Sequence, residues 1–119
     1  MKNIKFIIAI CIAGLFAITL NSCKKCRGED PRAKIINNAA QTVSVQIKTS
    51  GGNTVNINNV DPGTFSSYSS YAAGLVTFTL KLDGTNYVKS VAITNCFDYD
   101  ILIDANNNIT STSIDRNEL

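Results

Sequence analysis

From Val43 to Ile114 apolar residues keep returning to every second position, and this period-two pattern is the strongest constraint on what the chain can fold into. Val43, Val45 and Ile47 alternate with Ser44, Gln46 and Lys48, and Val55 and Ile57 with Asn56 and Asn58. Val76, Phe78, Leu80 and Leu82 alternate with Thr77, Thr79 and Lys81, and Phe97, Tyr99, Ile101 and Ile103 share a run with Asp98, Asp100 and Asp104. Successive side chains of a strand point to opposite faces, so each run reads as a strand with one buried face. Turn chemistry separates the runs: Ser50-Gly51-Gly52-Asn53, Asp61-Pro62-Gly63, Asp83-Gly84 and Ala105-Asn106-Asn107-Asn108. Proline presets φ, and glycine and asparagine accept the positive φ that tight turns require.

Ala33 to Asn37 supplies an opening strand, Tyr87 to Thr94 a return strand with Val91 and Ile93 inward, and Ile109 to Ile114 a last one. No segment carries a helical stripe. Seven or eight short strands at intervals of about 8–12 residues predict an all-β fold: a single antiparallel β-sandwich, immunoglobulin-like, over residues 33–119. A body of that size holds one core and one domain.

The first segment has a different logic. Met1-Lys2-Asn3-Ile4-Lys5 is positively charged, and Phe6 to Leu20 is an apolar run without a charge. Such an n-region and h-region are the parts of an export signal. The run is shorter than the roughly 20 residues of a spanning helix, so residues 1–22 read as a signal peptide and not as a membrane span. Lys2 and Lys5 leave with it, so the 11 basic residues fall to nine against nine acidic ones. No basic cluster remains to displace counterions from phosphates, and nucleic acid is not an expected partner.

Leu20-Asn21-Ser22-Cys23 closes the apolar run and resembles the lipobox of bacterial lipoproteins, with Leu at minus three, a small residue at minus one and Cys at plus one. The resemblance implies cleavage before Cys23, a diacylglycerol thioether on its sulfur and acylation of its new amino group. Residues 23–32 would then be a lipidated tether. Multiple acyl chains give stable anchoring at about 0.8 kcal/mol per buried methylene, where one chain does not. Lys24 occupies plus two, where Asp is the retention signal of the inner membrane, so the resemblance implies an outer-membrane lipoprotein of the cell envelope. The stretches "AKIINNA", "VSVQI", "FSSYSSYAAG" and "LVTFTLKL" also resemble small envelope domains of uncharacterised function in bacterial lipoproteins. Those domains imply a sandwich without established catalytic residues.

With Cys11 in the signal and Cys23 lipidated, Cys26 and Cys96 remain in an oxidising compartment. They are either a disulfide, closing a loop worth roughly 4 kcal/mol in the chain-entropy model, or two free thiols. A zinc site lacks its ligands, because the chain has no histidine and the two remaining cysteines form no Cys-x-x-Cys. The same absence excludes Ser-His-Asp and Cys-His catalysis. Paired carboxylates are present, but a glycosidase needs a deeper cleft than this domain supplies.

No enzyme, cofactor or metal is expected. Asp104, Asn106, Asn108 and Asp115 imitate the oxygen spacing of a calcium loop, yet Ile109 stands where the sharp turn needs glycine, so a hairpin turn is the reading. Asp98 and Asp100 share a strand face as solvated carboxylates. Tyr68 and Tyr71, interleaved with serines, are the candidate binding surface, since tyrosine supplies rigid contact area and serine adaptable hydrogen bonds. The alternative there is an ordinary edge strand with Phe65 and one tyrosine in the core. The expected role is a non-catalytic, lipid-anchored envelope protein that binds or supports an envelope protein or glycan. A small inhibitor of a lysozyme or protease is the second expectation, and a subunit that pairs by strand addition the third.

Overall fold

The structure, a computed structural model, describes residues 26–118; the segment expected as a signal peptide, Cys23 and Lys24 lie outside the described residues. Nine strands follow one another: β1 (Arg32–Asn37), β2 (Val43–Lys48), β3 (Thr54–Val60), β4 (Thr64–Phe65), β5 (Ser69–Ser70), β6 (Gly74–Leu82), β7 (Thr85–Ile93), β8 (Phe97–Ile103) and β9 (Ile109–Asp115). A short 3-10 turn, Arg116–Glu118, ends the described chain. One sheet has the order β3-β2-β6-β7; the other has the order β4-β1-β8-β9, with β5 continuing β4 along the same side of β1. The β4 and β5 pieces are one interrupted strand, which leaves eight sheet positions, in agreement with the alternation.

The two sheets pack through the rows that the alternation placed inward. Ala33 and Ile35, Val43 to Ile47, Val76 to Leu80, Ile93, and Tyr99 to Ile103 contribute buried apolar side chains to one core. Burying a Val, Ile, Leu or Phe contributes about 1.5–3 kcal/mol, so these rows outweigh any single cross-link. The sandwich is therefore the direct consequence of the period-two pattern.

Two features depart from an all-antiparallel immunoglobulin arrangement. β1 lies parallel to β8, from Arg32 beside Asp98 to Asn37 beside Ile103, and the strand orders are not those of the immunoglobulin constant type. The parallel pairing has a physical origin just ahead of both strands. Cys26 is bonded to Cys96, with S–S 2.03 Å and Cα atoms 5.7 Å apart. The Cys96 amide donates to Glu29 O at 2.9 Å, and Arg116 reaches the carbonyl of Asp30. The segments entering β1 and β8 are thus clamped side by side, and both strands leave the clamp in the same direction. Residues 26–31, expected as tether, are docked on the domain.

Candidate functional site

On the outer face of the β4/β5–β1–β8–β9 sheet, register sets Arg32 beside Asp98, Lys34 beside Asp100 and Ile36 beside Leu102. Two cation–carboxylate pairs and one apolar pair therefore cross the central strands in parallel rows. Ile36 in turn lies beside Phe65 on β4. The segment between β4 and β5 runs along this edge, held where Ser66 N donates to Ile35 O and Ser66 Oγ accepts from Ile35 N, both at 2.9 Å.

Tyr68 stands at the centre of the group. Its hydroxyl donates to Asp100 Oδ1 at 2.7 Å. Lys34 Nζ lies 4.9 Å from the Tyr68 ring centroid, 4.6 Å from that of Phe65 and 3.9 Å from Asp100 Oδ1. Arg32 Cζ sits 5.2 Å from the Tyr68 centroid on the adjoining row. Cations within about 6 Å of a ring are held by its quadrupole, at about 0.5–1 kcal/mol where solvent reaches. Burial, then the hydrogen bond to Asp100, pushes the Tyr68 hydroxyl up to about 12. Phe65 remains 66% exposed, a flat apolar surface braced from behind by Lys34.

The neighbouring row is more deeply set. Arg32 Nε and Nη2 donate to the two oxygens of Asp98 at 2.8 and 2.7 Å, a bidentate pair that holds the Arg32 pKa above its ordinary value. Arg116 Nε approaches Asp98 Oδ1 to 3.3 Å, and its Nη1 donates to Glu29 Oε2 at 3.1 Å. Both carboxylates of the face are engaged, Asp98 by two guanidiniums and Asp100 by a hydroxyl and an ammonium.

The expected pair of tyrosines does not share a surface. Tyr68 belongs to the face, but Tyr71 is 5% exposed and packs in the core. An extended chain sends residues three apart to opposite faces, so the spacing itself separates the two rings. The Tyr71 amide donates to Pro31 O at 3.0 Å; its buried hydroxyl has no hydrogen bond of ordinary geometry among the described residues, and burial raises its pKa against a smaller opposing influence of Ser69. Phe65 takes the exposed place instead of a core one. Asp98 is likewise not a solvated carboxylate but a buried one.

Arg32, Lys34 and Arg116 are the site residues that sequence reading passed over. The signal was the matched spacing of Arg32 and Lys34 with Asp98 and Asp100, which acquires meaning only once β1 and β8 are known to pair in parallel.

The calcium-like segment is a hairpin turn. Asp104 Oδ1 accepts from the amides of Asn106 and Asn108 at 2.8 and 2.9 Å, with Asn107 at φ 65°. Asp115 lies at the other end of β9, where it accepts from the Asn117 amide at 2.9 Å. On the opposite sheet, Ser44, Gln46, Asn56, Asn58, Thr79 and Lys81 line a shallow polar concavity of about 370 Å³. No helix among the described residues is long and apolar enough to cross a membrane.

No protein-family model and no curated protein matches the sequence. Among solved structures, the C-terminal domain of AlgF from P. aeruginosa is similar at 12% identity and a TM-score of 0.49, covering 72% of this chain and 97% of that one. A likeness of that degree leaves the site to be read from its own residues.

Proposed function

We propose that the chain is a non-catalytic, lipid-anchored protein of the cell envelope that binds a partner through the outer face of the β4/β5–β1–β8–β9 sheet. The observation that carries this reading is the exposed Phe65 ring held over Lys34 beside Tyr68 and Asp100. Rigid aromatic area costs little entropy to immobilise on binding, and pre-organisation is what turns contact area into affinity. The aromatic segment lies along β1 rather than projecting as a loop, which supports a flat contact face over a loop-delivered inhibitor.

Lipidation at Cys23 fits this arrangement. Three residue steps separate Cys23 from the clamped Cys26, at most about 10 Å of extended chain. The Cys96 end of the sandwich then rests near the bilayer. Phe65, paired with Ile36 toward the far ends of the strands, then lies at the end remote from it. The resemblance of Leu20 to Cys23 to a lipobox, with Lys24 at plus two, supports outer-membrane placement.

The test is site-specific photo-crosslinking of the full chain in its own membrane. A crosslinker at Phe65 or Leu102 is expected to give an adduct of defined mass, lost in Lys34→Ala, while one at Thr79 on the other sheet gives none. Equal adducts from both sheets, or none from Phe65, would discard the proposed face. Acyl labelling that persists in Cys23→Ala would discard the anchor.

A further inference from the structure

A sandwich of two open sheets has four edges, and three of them here carry a feature that blocks pairing with another strand. On the first, β4 and β5 are two residues each, broken between Phe65 and Ser69. On the second, β3 is bulged: its register with β2 shifts between Val43 and Val45, and Asn59 takes φ 59°. The third, β7, places Lys89 on its inward row opposite the buried Phe78, a charge that a docking strand would have to cover.

β9 is neither broken nor bulged, and its inward row carries a charge only at its last residue, Asp115 opposite Phe97. It pairs with β8 without a shift from Ile103 beside Ile109 to Phe97 beside Asp115. Residues 105–114, Ala-Asn-Asn-Asn-Ile-Thr-Ser-Thr-Ser-Ile, include no proline and no charge. The bonds flanking the ladder, Asp104 N to Asn108 O and Arg116 N to Cys96 O, fix its alternation. Hydrogen-bonded pairs alternate with non-bonded ones, so Thr110, Thr112 and Ile114 bond β8. The N–H and C=O groups of Ile109, Ser111 and Ser113 point away from it. Ser111 and Ser113 are exposed, while Asn86 to Val88 of β7 lie beside the Ile109 end.

We infer that β9 is a pairing edge, and that its occupant is the β9 of a second copy of this chain, antiparallel about a two-fold axis. The scarcity of charge favours this occupant. With a dyad at Ser111, the one charge of β9, Asp115, falls opposite Asn107, so no like charges are set against each other. A dyad at Ser111 brings Ser111 opposite its own copy, Ile109 opposite Ser113 and Thr110 opposite Thr112. The resulting eight-position sheet is closed by symmetry, so assembly stops at the dimer. The contact is narrower than a stable interface of about 1,200–2,000 Å², so the association is weak and concentration-driven.

The full chain purified in detergent tests this by sedimentation across a concentration series, with amide exchange on the same samples. A dimer is expected to grow with concentration, with exchange at Ile109, Ser111 and Ser113 slowing at least tenfold and that of β3 and β7 unchanged. Ser111→Pro removes an N–H that β8 does not use and is expected to leave a monomer. Thr110→Lys combined with Thr112→Lys sets lysine opposite lysine and is expected to do the same, deciding the matter if the proline variant does not fold. A chain that stays monomeric throughout overturns the inference. So does a dimer that survives the lysine pair, or one whose slowed amides lie on another edge.

Discussion

Arg32 grips Asp98 with both ends of its guanidinium fork, at 2.8 and 2.7 Å, and the carboxylate so held is 5% exposed. The pair links β1 to β8 at the point where their parallel run begins, and Arg116 closes on the same carboxylate from the end of β9. Asp98→Asn keeps the shape and removes the charge, leaving two guanidiniums facing a neutral amide. Breaking a fully buried pair costs about 3–5 kcal/mol, but Arg32 is more than a third exposed, so a loss of about 2 kcal/mol is expected. Urea denaturation measures it, and Arg32→Gln combined with Asp98→Asn should cost less than the two single changes added.

The Cys26–Cys96 bridge spans 70 residues, so the unfolded chain loses much of its freedom when it is closed. Reduction, or Cys26→Ser with Cys96→Ser, is expected to lower stability by about 4 kcal/mol in the chain-entropy model. Urea curves with and without reductant read the difference. Because the core rows persist, the reduced domain should still unfold cooperatively from a folded state.

Asn37 is fully buried, and its side chain ties three backbone groups together. Nδ2 donates to Gln41 O and Val60 O, both at 2.8 Å, and Oδ1 accepts from the Ala39 amide at 2.9 Å. Asn37→Ala strands those groups in a dry setting, at an expected cost of about 2–3 kcal/mol. Asn37→Asp should be worse, since it turns a charge toward two carbonyls. Thermal melts of the two variants give the order.

Tyr68 carries a pH signature. Its folded pKa, about 12, lies above the ordinary 10.0, so folding favours the neutral hydroxyl. That contribution is whole below about pH 10 and is lost as pH rises through about 12, where the phenolate forms and the hydrogen bond to Asp100 is broken. Phenolate absorbance should lose a late component in Tyr68→Phe. Asp100→Asn should bring the Tyr68 transition down only part of the way, because burial is the larger cause.

Most of the sandwich could be read from residue order. The alternation in Val43–Ile47, Val76–Leu82 and Phe97–Ile103 marks both the strands and their buried rows, since a strand has only two faces to choose between. Asp83-Gly84 and Ala105–Asn108 mark hairpins because backbone sign at a turn is a local matter. Asp98 was misplaced among solvated groups because its partners, Arg32 and Arg116, are remote in sequence and meet it only across paired strands. Tyr71 needed nothing but its odd spacing from Tyr68.

What the sequence by itself determined is local: where strands start and stop, which side chains face the core, and the charge, apolar run and cysteine by which the first segment resembles a lipoprotein signal. These depend on neighbours along the chain. Tertiary structure alone decided the parallel union of β1 with β8, the joining of Cys26 to Cys96, and the meeting of Lys34, Phe65, Tyr68 and Asp100 on one face. Each of these is a choice of partner among many strands of similar pattern. Such choices are settled by the summed packing of both sheets, which no short stretch of sequence contains.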